Sequence, residues 1–270
     1  MATKVTTWLC LLLSPAWLVA AQSVASQLYT PMASPCPEGF SLVRMAGSPG
    51  HQSLSTSEAG YVQARRSQVI PQAWKTYLAN VEATNVTLPS YVSSILSGSS
   101  SQTPNFGIAI SGGGYRAAIF GAGVLDALDG RKASSNSAGL GGLLQTATYL
   151  TGLSGGSWLL TSLGHANLPT MQELIFGYFD PTVANNSWGG WNANYSLVAP
   201  SGDPITDAEY FADLVEELKG KCDAGYAVTF ADVWARILAR HVVNGTFPSN
   251  FYDESYAHGA GILWSSIAET

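Results

Sequence analysis

The chain has 270 residues and a formal net charge of −6, and only 11% of its residues are charged, against about 25% in an average soluble domain. Hydrophobic residues make up 46% of the chain, and this content together with the low charge argues against an intrinsically disordered protein. The acidic balance, without a run of lysine and arginine, argues against a nucleic-acid binder, because phosphate contacts need a basic patch. The length suits one large domain or two small ones.

The first 21 residues have the features of a secretory signal peptide. Lys4 precedes an apolar run, and the small residues Val19 and Ala21 fit cleavage before Gln22. A membrane anchor is the alternative, but the run is shorter than the roughly 20 apolar residues that a spanning helix needs. The sequence therefore predicts a signal peptide over 1–21 and a secreted or cell-surface protein.

Sequons and cysteines in the remaining chain bear on this prediction. Glycosylated surface loops are predicted at four Asn-X-Ser/Thr sequons, which are Asn85, Asn185, Asn194 and Asn244. Cys36 and Cys222 remain once Cys10 leaves with the signal peptide. They could pair with each other, pair with cysteines of a chain that continues further, or stay as two buried free thiols.

The middle of the chain predicts a helix, a loop and then a strand–turn–helix unit. Spacing of apolar residues predicts a helix over about 58–80, and the composition of 90–105 is typical of a loop. Phe106–Ile110 is a short apolar run typical of a buried strand, and glycines follow it at once. Tyr115–Leu128 then has helical character and ends near Gly130.

The second half repeats this order. Leu140–Leu153 leads into Ser154-Gly155-Gly156-Ser157, and Trp158–Leu163 predicts the start of a helix. Two more helices are predicted over Thr206–Lys219, with a Thr206/Glu209 capping box and closure at Gly220, and over Thr229–Val243. The apolar face of the second is expected in the core and consists of Phe230, Val233, Trp234, Ile237 and Leu238. Residues 181–204 should be an exposed excursion. The order favours an α/β fold with a mostly parallel sheet flanked by helices.

The segment Gly152–Gly156 (GLSGG) fits the G-x-S-x-G pattern of a serine nucleophile elbow. A serine on a tight strand-to-helix turn has a strained backbone, and glycine neighbours avoid collisions with it. Such a turn also places the serine at a helix N-terminus, which favours developing negative charge. The pattern is weak alone in a chain with 28 glycines, but an apolar segment precedes it and a predicted helix follows it.

The glycines of the first unit suggest a partner for this serine. Gly112, Gly113 and Gly114 would let bare backbone N–H groups approach an oxyanion closely. The same residues with Ala117 also fit the dinucleotide fingerprint G-x-G-x-x-A, and a purely structural turn is a further alternative. The dinucleotide alternative leaves the serine motif unused. Arg116 could bind a phosphate or polar head group, or pair with a structural acid.

Together these segments resemble the fungal lysophospholipase (phospholipase B) family, which is related to the cytosolic phospholipase catalytic domain. The matching segments are SGGGYRAAIFGAG (111–123), GLLQTATYLTGLSGGSWLL (142–160) and, more weakly, CPEGFSLVR (36–44). The resemblance implies a secreted acyl hydrolase that releases fatty acids from lysophospholipids or phospholipids. It implies Ser154 as nucleophile, the three glycines as oxyanion donors and Arg116 near the phosphate.

The resemblance also implies a Ser/Asp dyad whose aspartate lies in an Asp-Gly-Gly segment well after the serine. No Asp-Gly-Gly occurs in this sequence, and family members continue for several hundred residues more. We therefore expect residues 22–270 to be the N-terminal portion of a lysophospholipase catalytic domain with an incomplete dyad. No metal or other cofactor is expected. The expected partner is a phospholipid or lysophospholipid, with contact to a membrane or micelle surface.

Two other hypotheses remain. One is a secreted lipase or esterase with a Ser-Asp-His triad, in which Asp223 or Asp232 would orient His241 or His258. The other is a hydrolase-fold glycoprotein without catalytic activity, because the dyad aspartate is absent.

Overall fold

The structure is a computed structural model that describes residues 30–36, 38–39, 43–93, 97, 103–179, 187–194, 196–199 and 201–243. The chain divides into two compact units, one of which spans Val43–Trp191 and the other of which includes Asn192–Asn244. The predicted signal peptide, the sequons at Asn185 and Asn244, and His258 lie outside the described residues. Within the described ranges, no helix is both long and apolar enough to cross a membrane.

Most elements belong to the Val43–Trp191 unit. In chain order they are α1 (Thr56–Ala64), a π-helical turn (Arg65–Val69), α2 (Ile70–Ala83), β1 (Gly107–Ile110), α3 (Gly114–Leu128), α4 (Ala133–Ser137), a 3-10 turn (Leu144–Thr146), β2 (Tyr149–Gly152), α5 (Gly155–His165), α6 (Met171–Phe176), β3 (Tyr178–Phe179) and β4 (Ser187–Trp188). The other unit contributes α7 (Pro204–Asp223) and α8 (Phe230–Val242).

The first unit is α/β, with a small parallel sheet flanked by helices. Strand β1 pairs in parallel with β2, so that Gly107 lies opposite Tyr149 and Ile110 lies opposite Gly152. Strands β3 and β4 form a separate antiparallel pair. The predicted α/β class is thus confirmed, with a parallel sheet of two strands in the part of the chain that the structure describes.

Strand β1 is less buried than its apolar sequence predicts. Ile108 and Ile110 are half-buried, whereas Gly107 and Ala109, on the opposite face, are exposed. Ile110 lies against α3, because a Cβ built on Gly121 of that helix would come within 2.9 Å of Ile110 Cγ2. One face of the strand is therefore covered by a helix, and the described residues leave the other face open.

Helix α3 has an apolar residue on nearly every side. Its inner face is buried at Ala118, Ala122 and Leu125, and it packs against α5, whose Leu159 and Leu163 are also buried. Small side chains on this face allow the two helices to approach closely. The outer face carries exposed apolar side chains, which are Ile119, Phe120 and Val124.

The Asn192–Asn244 unit has its own small core. It is formed by Leu214 and Leu218 of α7 with Val228 and Ile237, and Phe211 and Val233 pack against it. Ile237 and Leu238 are buried as predicted, but Phe230 is 75% exposed and Trp234 is 39% exposed. Their rings stack on each other with centroids 6.3 Å apart. The prediction that both aromatic side chains lie in the core was therefore wrong.

The ends of α7 also differ from the prediction. Asp203 caps the helix, and its carboxylate accepts a hydrogen bond from the Thr206 amide, so the predicted Thr206/Glu209 box is not formed. The helix continues through Gly220 to Asp223. Helix α8 does have a capping box, between Thr229 and Asp232. Pro204 explains the earlier start of α7, because proline is favoured in the first turn of a helix.

The structure narrows the alternatives for the cysteines. Cys36 is exposed and forms no disulfide. Cys222 is disulfide-bonded, and Cys36 is not its partner. A Cys36–Cys222 bond is therefore not formed, and two buried free thiols are also excluded.

A buried carboxylate joins the end of α3 to neighbouring loops. Asp129 accepts hydrogen bonds from the Arg131 guanidinium at 2.7 to 3.0 Å and from Gln145 Nε2 at 2.8 Å. Arg131 also donates to the Leu168 and Pro169 carbonyls. Burial alone would raise the pKa of Asp129, but the hydrogen bonds from Arg131 and Gln145 and the charge of Arg131 lower it below its ordinary value. The carboxylate thus stays charged in the folded protein.

We predict that Asp129→Asn lowers the free energy of unfolding at pH 7 by about 1–3 kcal/mol, because a charged acceptor of several hydrogen bonds is lost. An aspartate whose pKa falls on folding stabilises the native state above its ordinary pKa of about 3.9, and this stabilisation is lost as the pH falls through the folded pKa. The difference in free energy of unfolding between wild type and variant, measured by urea unfolding, should therefore become smaller below about pH 4.

Asp126→Asn is the matched control, because Asp126 forms an ion pair with Lys132 that is more open to solvent. It should change stability by less than about 1 kcal/mol. Equal effects of the two substitutions would contradict a special role for Asp129.

Candidate active site

The two predicted turns lie at the same edge of the parallel sheet. Strands β1 and β2 end opposite each other, at Ile110 and Gly152. The Leu153 amide extends the pairing by donating to the Ile110 carbonyl at 3.0 Å. Each strand then turns directly into a helix, α3 or α5. Ligands of parallel α/β sheets bind outside the carboxyl ends of the strands, which is where both turns lie.

Ser154 occupies the turn between β2 and α5 in an unusual backbone conformation. Its φ is 52° and its ψ is −119°, a combination that L residues with a side chain rarely adopt. Its carbonyl accepts hydrogen bonds from the Trp158 amide at 3.1 Å and from Ser157 Oγ at 2.6 Å. The Ser154 residue is exposed, and its Oγ makes no hydrogen bond to any described residue. A hydroxyl is thus displayed at the start of a helix.

The glycine turn after β1 lies directly against Ser154. A Cβ built on Gly112 would lie 2.9 Å from Ser154 Cβ and 3.6 Å from Ser154 Oγ. A Cβ on Gly155 would overlap the Gly114 carbonyl oxygen and lie 2.8 Å from the carbonyl carbon. Any side chain at either position would push the two turns apart. The structure therefore brings together Ser154 and the predicted oxyanion glycines.

The N-termini of α3 and α5 converge at this contact. Helix α3 begins at Gly114, preceded by Gly113 with a φ of 139°, and α5 begins at Gly155. The first N–H groups of a helix have no partner within the helix, and they carry partial positive charge. Developing negative charge close to Ser154 would thus be stabilised from two directions. The assignment of individual oxyanion donors stays a prediction.

Two further residues of α3 flank the turn. Arg116 is exposed and forms no ion pair or hydrogen bond with the residues that the structure describes. Tyr115 packs edge-on against Trp158 of α5, with ring centroids 5.5 Å apart. Burial raises the pKa of Tyr115 to about 12, so the phenol stays protonated at neutral pH. Sequence reasoning missed this aromatic pair, although Tyr115 directly follows Gly114 and Trp158 lies two residues after Gly156.

Three residues of the alternative triad, Asp223, Asp232 and His241, lie within the described ranges, in the Asn192–Asn244 unit. Asp223 forms an ion pair with Lys219, and Asp232 binds Lys221 while capping α8. His241 is buried in the Asn192–Asn244 unit. Among the described residues, no group of three or more His, Cys, Asp or Glu side chains could hold a metal ion.

Comparison with known proteins gives consistent matches. A family model described as the lysophospholipase catalytic domain matches residues 106–270. Lysophospholipase 2 of Saccharomyces cerevisiae is 36% identical over 251 residues, which are 92% of this chain and 32% of that protein. Lysophospholipase 1 of Aspergillus fumigatus is 37% identical over 246 residues, 90% of this chain and 35% of its own length. The chain thus spans about a third of these relatives. No solved structure matches it.

We predict that Gly155→Ala lowers the free energy of unfolding by about 1–3 kcal/mol, because the new methyl group overlaps the Gly114 peptide. Gly123→Ala is the control, since a Cβ there would meet no atom within 4 Å. It should leave stability unchanged or raise it by up to about 1 kcal/mol. Urea unfolding of both variants checks the prediction, and equal effects would contradict the close contact of the two turns.

Proposed function

Because the chain belongs to the family of lysophospholipase catalytic domains, we propose that this protein hydrolyses fatty-acyl esters of lysoglycerophospholipids and phospholipids through a serine acyl-enzyme. Its relatives carry the name lysophospholipase. Ser154 is the proposed nucleophile, and the turn between β2 and α5 is the proposed nucleophile elbow.

One observation carries this proposal, which is the contact between Ser154 and the glycine turn. Ser154 is exposed and has a strained backbone, and the close contact of the two turns leaves no room for a side chain at Gly112 or Gly155. An acyl transfer needs a nucleophile and backbone donors within reach of the same carbonyl group. An exposed serine hydroxyl and the N-termini of two helices, which meet at one contact, support the proposal.

In the proposed reaction, Ser154 Oγ attacks the ester carbonyl carbon while its proton passes to a base. The carbonyl oxygen becomes an oxyanion, stabilised by N–H groups of Gly112, Gly113 and Gly114. Its collapse breaks the bond to the glycerol oxygen, which leaves with a proton, and water then releases the fatty acid from Ser154. Loss of one oxyanion donor typically lowers the rate by about a hundredfold to a thousandfold.

The base is the component that we assign to no described residue. The family resemblance implies an aspartate, and the Asp-Gly-Gly segment that would carry it does not occur in these 270 residues. We propose that no histidine takes part, so that the enzyme is of the Ser/Asp dyad type.

Arg116 is the proposed contact for the lipid phosphate. It lies on the first turn of α3, close in sequence to the oxyanion glycines, and it is exposed without an ion pair to described residues. A guanidinium can donate two parallel hydrogen bonds to a phosphate group. We also propose contact with a membrane or micelle surface, because the substrates assemble into such surfaces.

The proposed location is outside the cell or at its surface, as the signal-peptide pattern predicts. Asn85 and Asn194 are exposed, so both described sequons are open to a glycosylating enzyme. Asn85 follows the end of α2, at a turn with a φ of 64°.

Labelling with a fluorophosphonate, run beside hydrolysis of lysophosphatidylcholine, tests the role of Ser154. This assay and the activity assays below use a wild-type chain that also carries the dyad aspartate, because a serine without a base is a weak nucleophile. We expect label at Ser154 and release of fatty acid by this chain, and loss of both in Ser154→Ala. Ser137→Ala is the control, because Ser137 is exposed on α4 and hydrogen-bonds only within its own helix. It should react like the wild type.

Substitution of the histidines distinguishes an enzyme with a Ser/Asp dyad from one with a Ser-Asp-His triad. We expect His241→Asn and His258→Asn to keep most of the activity per folded molecule. A collapse of activity in either variant, with the fold intact, would contradict the dyad and favour the Ser-Asp-His alternative.

A folded chain that reacts with the fluorophosphonate at a residue other than Ser154 would contradict the proposed function itself.

Arg116→Ala should raise the KM for lysophosphatidylcholine by about tenfold, because a charge-assisted hydrogen bond to phosphate is lost. Hydrolysis of a short neutral ester, which carries no phosphate, should change little. Arg44→Ala is the control, as Arg44 is also an exposed arginine. An equal loss on both esters would show that Arg116 acts on the fold or the chemical step and not on the phosphate.

A further inference from the structure

We propose that Arg65 is a positioning residue for Ser154, because it fixes the segment that leads into β2. This inference rests on the proposed function, since it concerns the serine assigned there as the nucleophile. Arg65 is far from Ser154 in sequence, and the family motifs in the glycine turns do not include it.

Arg65 is a buried cation that binds backbone oxygens. It is only 4% exposed, and its Nη2 donates to the Gln145 carbonyl at 2.8 Å and to the Ala147 carbonyl at 2.7 Å. Burial lowers the pKa of Arg65, and the nearby Tyr61 opposes that shift, yet the guanidinium remains protonated at any physiological pH. The two carbonyls lie just before β2, which carries the chain to Ser154.

Arg65 is the last of three side chains on one helical face that hold this segment. Tyr61 Oη donates to the Thr148 carbonyl at 2.9 Å, and Tyr149 Oη donates to Glu58 Oε1 at 3.1 Å. Positions 58, 61 and 65 lie on one face of a helix. Glu58 thus contacts Tyr149, Tyr61 contacts Thr148, and Arg65 contacts Ala147 and Gln145. The order of these contacts is forwards along the helix and backwards along the segment.

A π-helical turn begins at Arg65 and separates α1 from α2. Such turns are rare, and they change the direction of the side chains that follow a regular helix. Here the turn lies where the helix contacts the segment before β2.

The hydrogen bonds that Glu58, Tyr61 and Arg65 make with this segment help to fix the register of the short parallel sheet. On its other side the segment is held to β1, where the Thr148 amide donates to the Phe106 carbonyl at 2.8 Å. A pair of four-residue strands is a weak structure by itself, and a slip of one residue would turn every side chain to the opposite face. Hydrogen bonds from both sides fix the register, and with it the point where β2 ends and the Ser154 turn begins.

Lysine cannot replace Arg65 at this position without loss. The planar guanidinium reaches two carbonyls in fixed geometry, whereas an ammonium group is a compact point charge on a flexible chain. Arg65→Lys thus keeps the charge and changes the geometry. Arg44→Lys makes the same chemical change at an exposed arginine and serves as the control.

The first measurement is the rate of fluorophosphonate labelling at Ser154, with kcat and KM for lysophosphatidylcholine, well below the unfolding temperature. We expect Arg65→Lys to lower the labelling rate and kcat by about tenfold to a hundredfold, since small displacements of a reacting group have effects of this size. KM should stay near the wild-type value, and Arg44→Lys should behave like the wild type. A folded Arg65→Lys protein with wild-type rates would overturn the inference.

The second measurement, hydrogen–deuterium exchange, does not depend on activity. Amides of 149–156 should exchange about tenfold faster in Arg65→Lys, and faster also in Tyr61→Phe, which loses one donor to the same segment. Amides of Phe230–Val242 should not change. Unchanged exchange at 149–156, or uniformly faster exchange throughout the chain, would overturn the inference. If the wild type fails to label while these amides respond as expected, the proposed function fails and the positioning role stands.

Discussion

The arrangement of the candidate site depends on a close contact between two stretches of backbone, which are the turn after β1 and the turn after β2. The strands end together at Ile110 and Gly152, and the two turns touch at Gly112 with Ser154 and at Gly114 with Gly155. A contact between main chains leaves little freedom of adjustment, because neither side can change rotamer to relieve strain. The relative position of the serine hydroxyl and the glycine amides is thus set by the strands and helices that lead into and out of the turns.

Polar groups hold the segment that precedes β2, and Gln145 in this segment takes part in several of their hydrogen bonds. The Gln145 backbone carbonyl accepts a hydrogen bond from Arg65, and its side-chain Nε2 donates one to Asp129. Its side-chain Oε1 accepts a hydrogen bond from the Gly130 amide at 3.0 Å. One residue therefore joins the helix before the sheet, the segment before β2 and the end of α3. Buried groups of this kind stabilise a fold only when all are satisfied, so losses in such a network should not be additive.

Local patterns predicted the strand–turn–helix order well, and they predicted Ser154 and the glycines as one site. These signals are local, because a glycine turn between an apolar run and a helix needs no distant partner to be recognised. Burial was harder to predict. Phe230 has the right spacing for a core position, but it is the first residue of α8, it is exposed, and it is not among the residues that form or pack against the small core. The contact of Arg65 with Ala147 joins residues 82 positions apart, and no periodicity indicates it.

The conformation of Ser154 has a consequence for evolution and engineering. A side chain at a φ of 52° and a ψ of −119° costs on the order of 1–3 kcal/mol, which glycine at the same position would largely avoid. The most stable residue at this position is therefore one that has no hydroxyl. Stability and chemistry favour different residues here, and selection for thermal resistance alone would tend to remove the nucleophile that we propose.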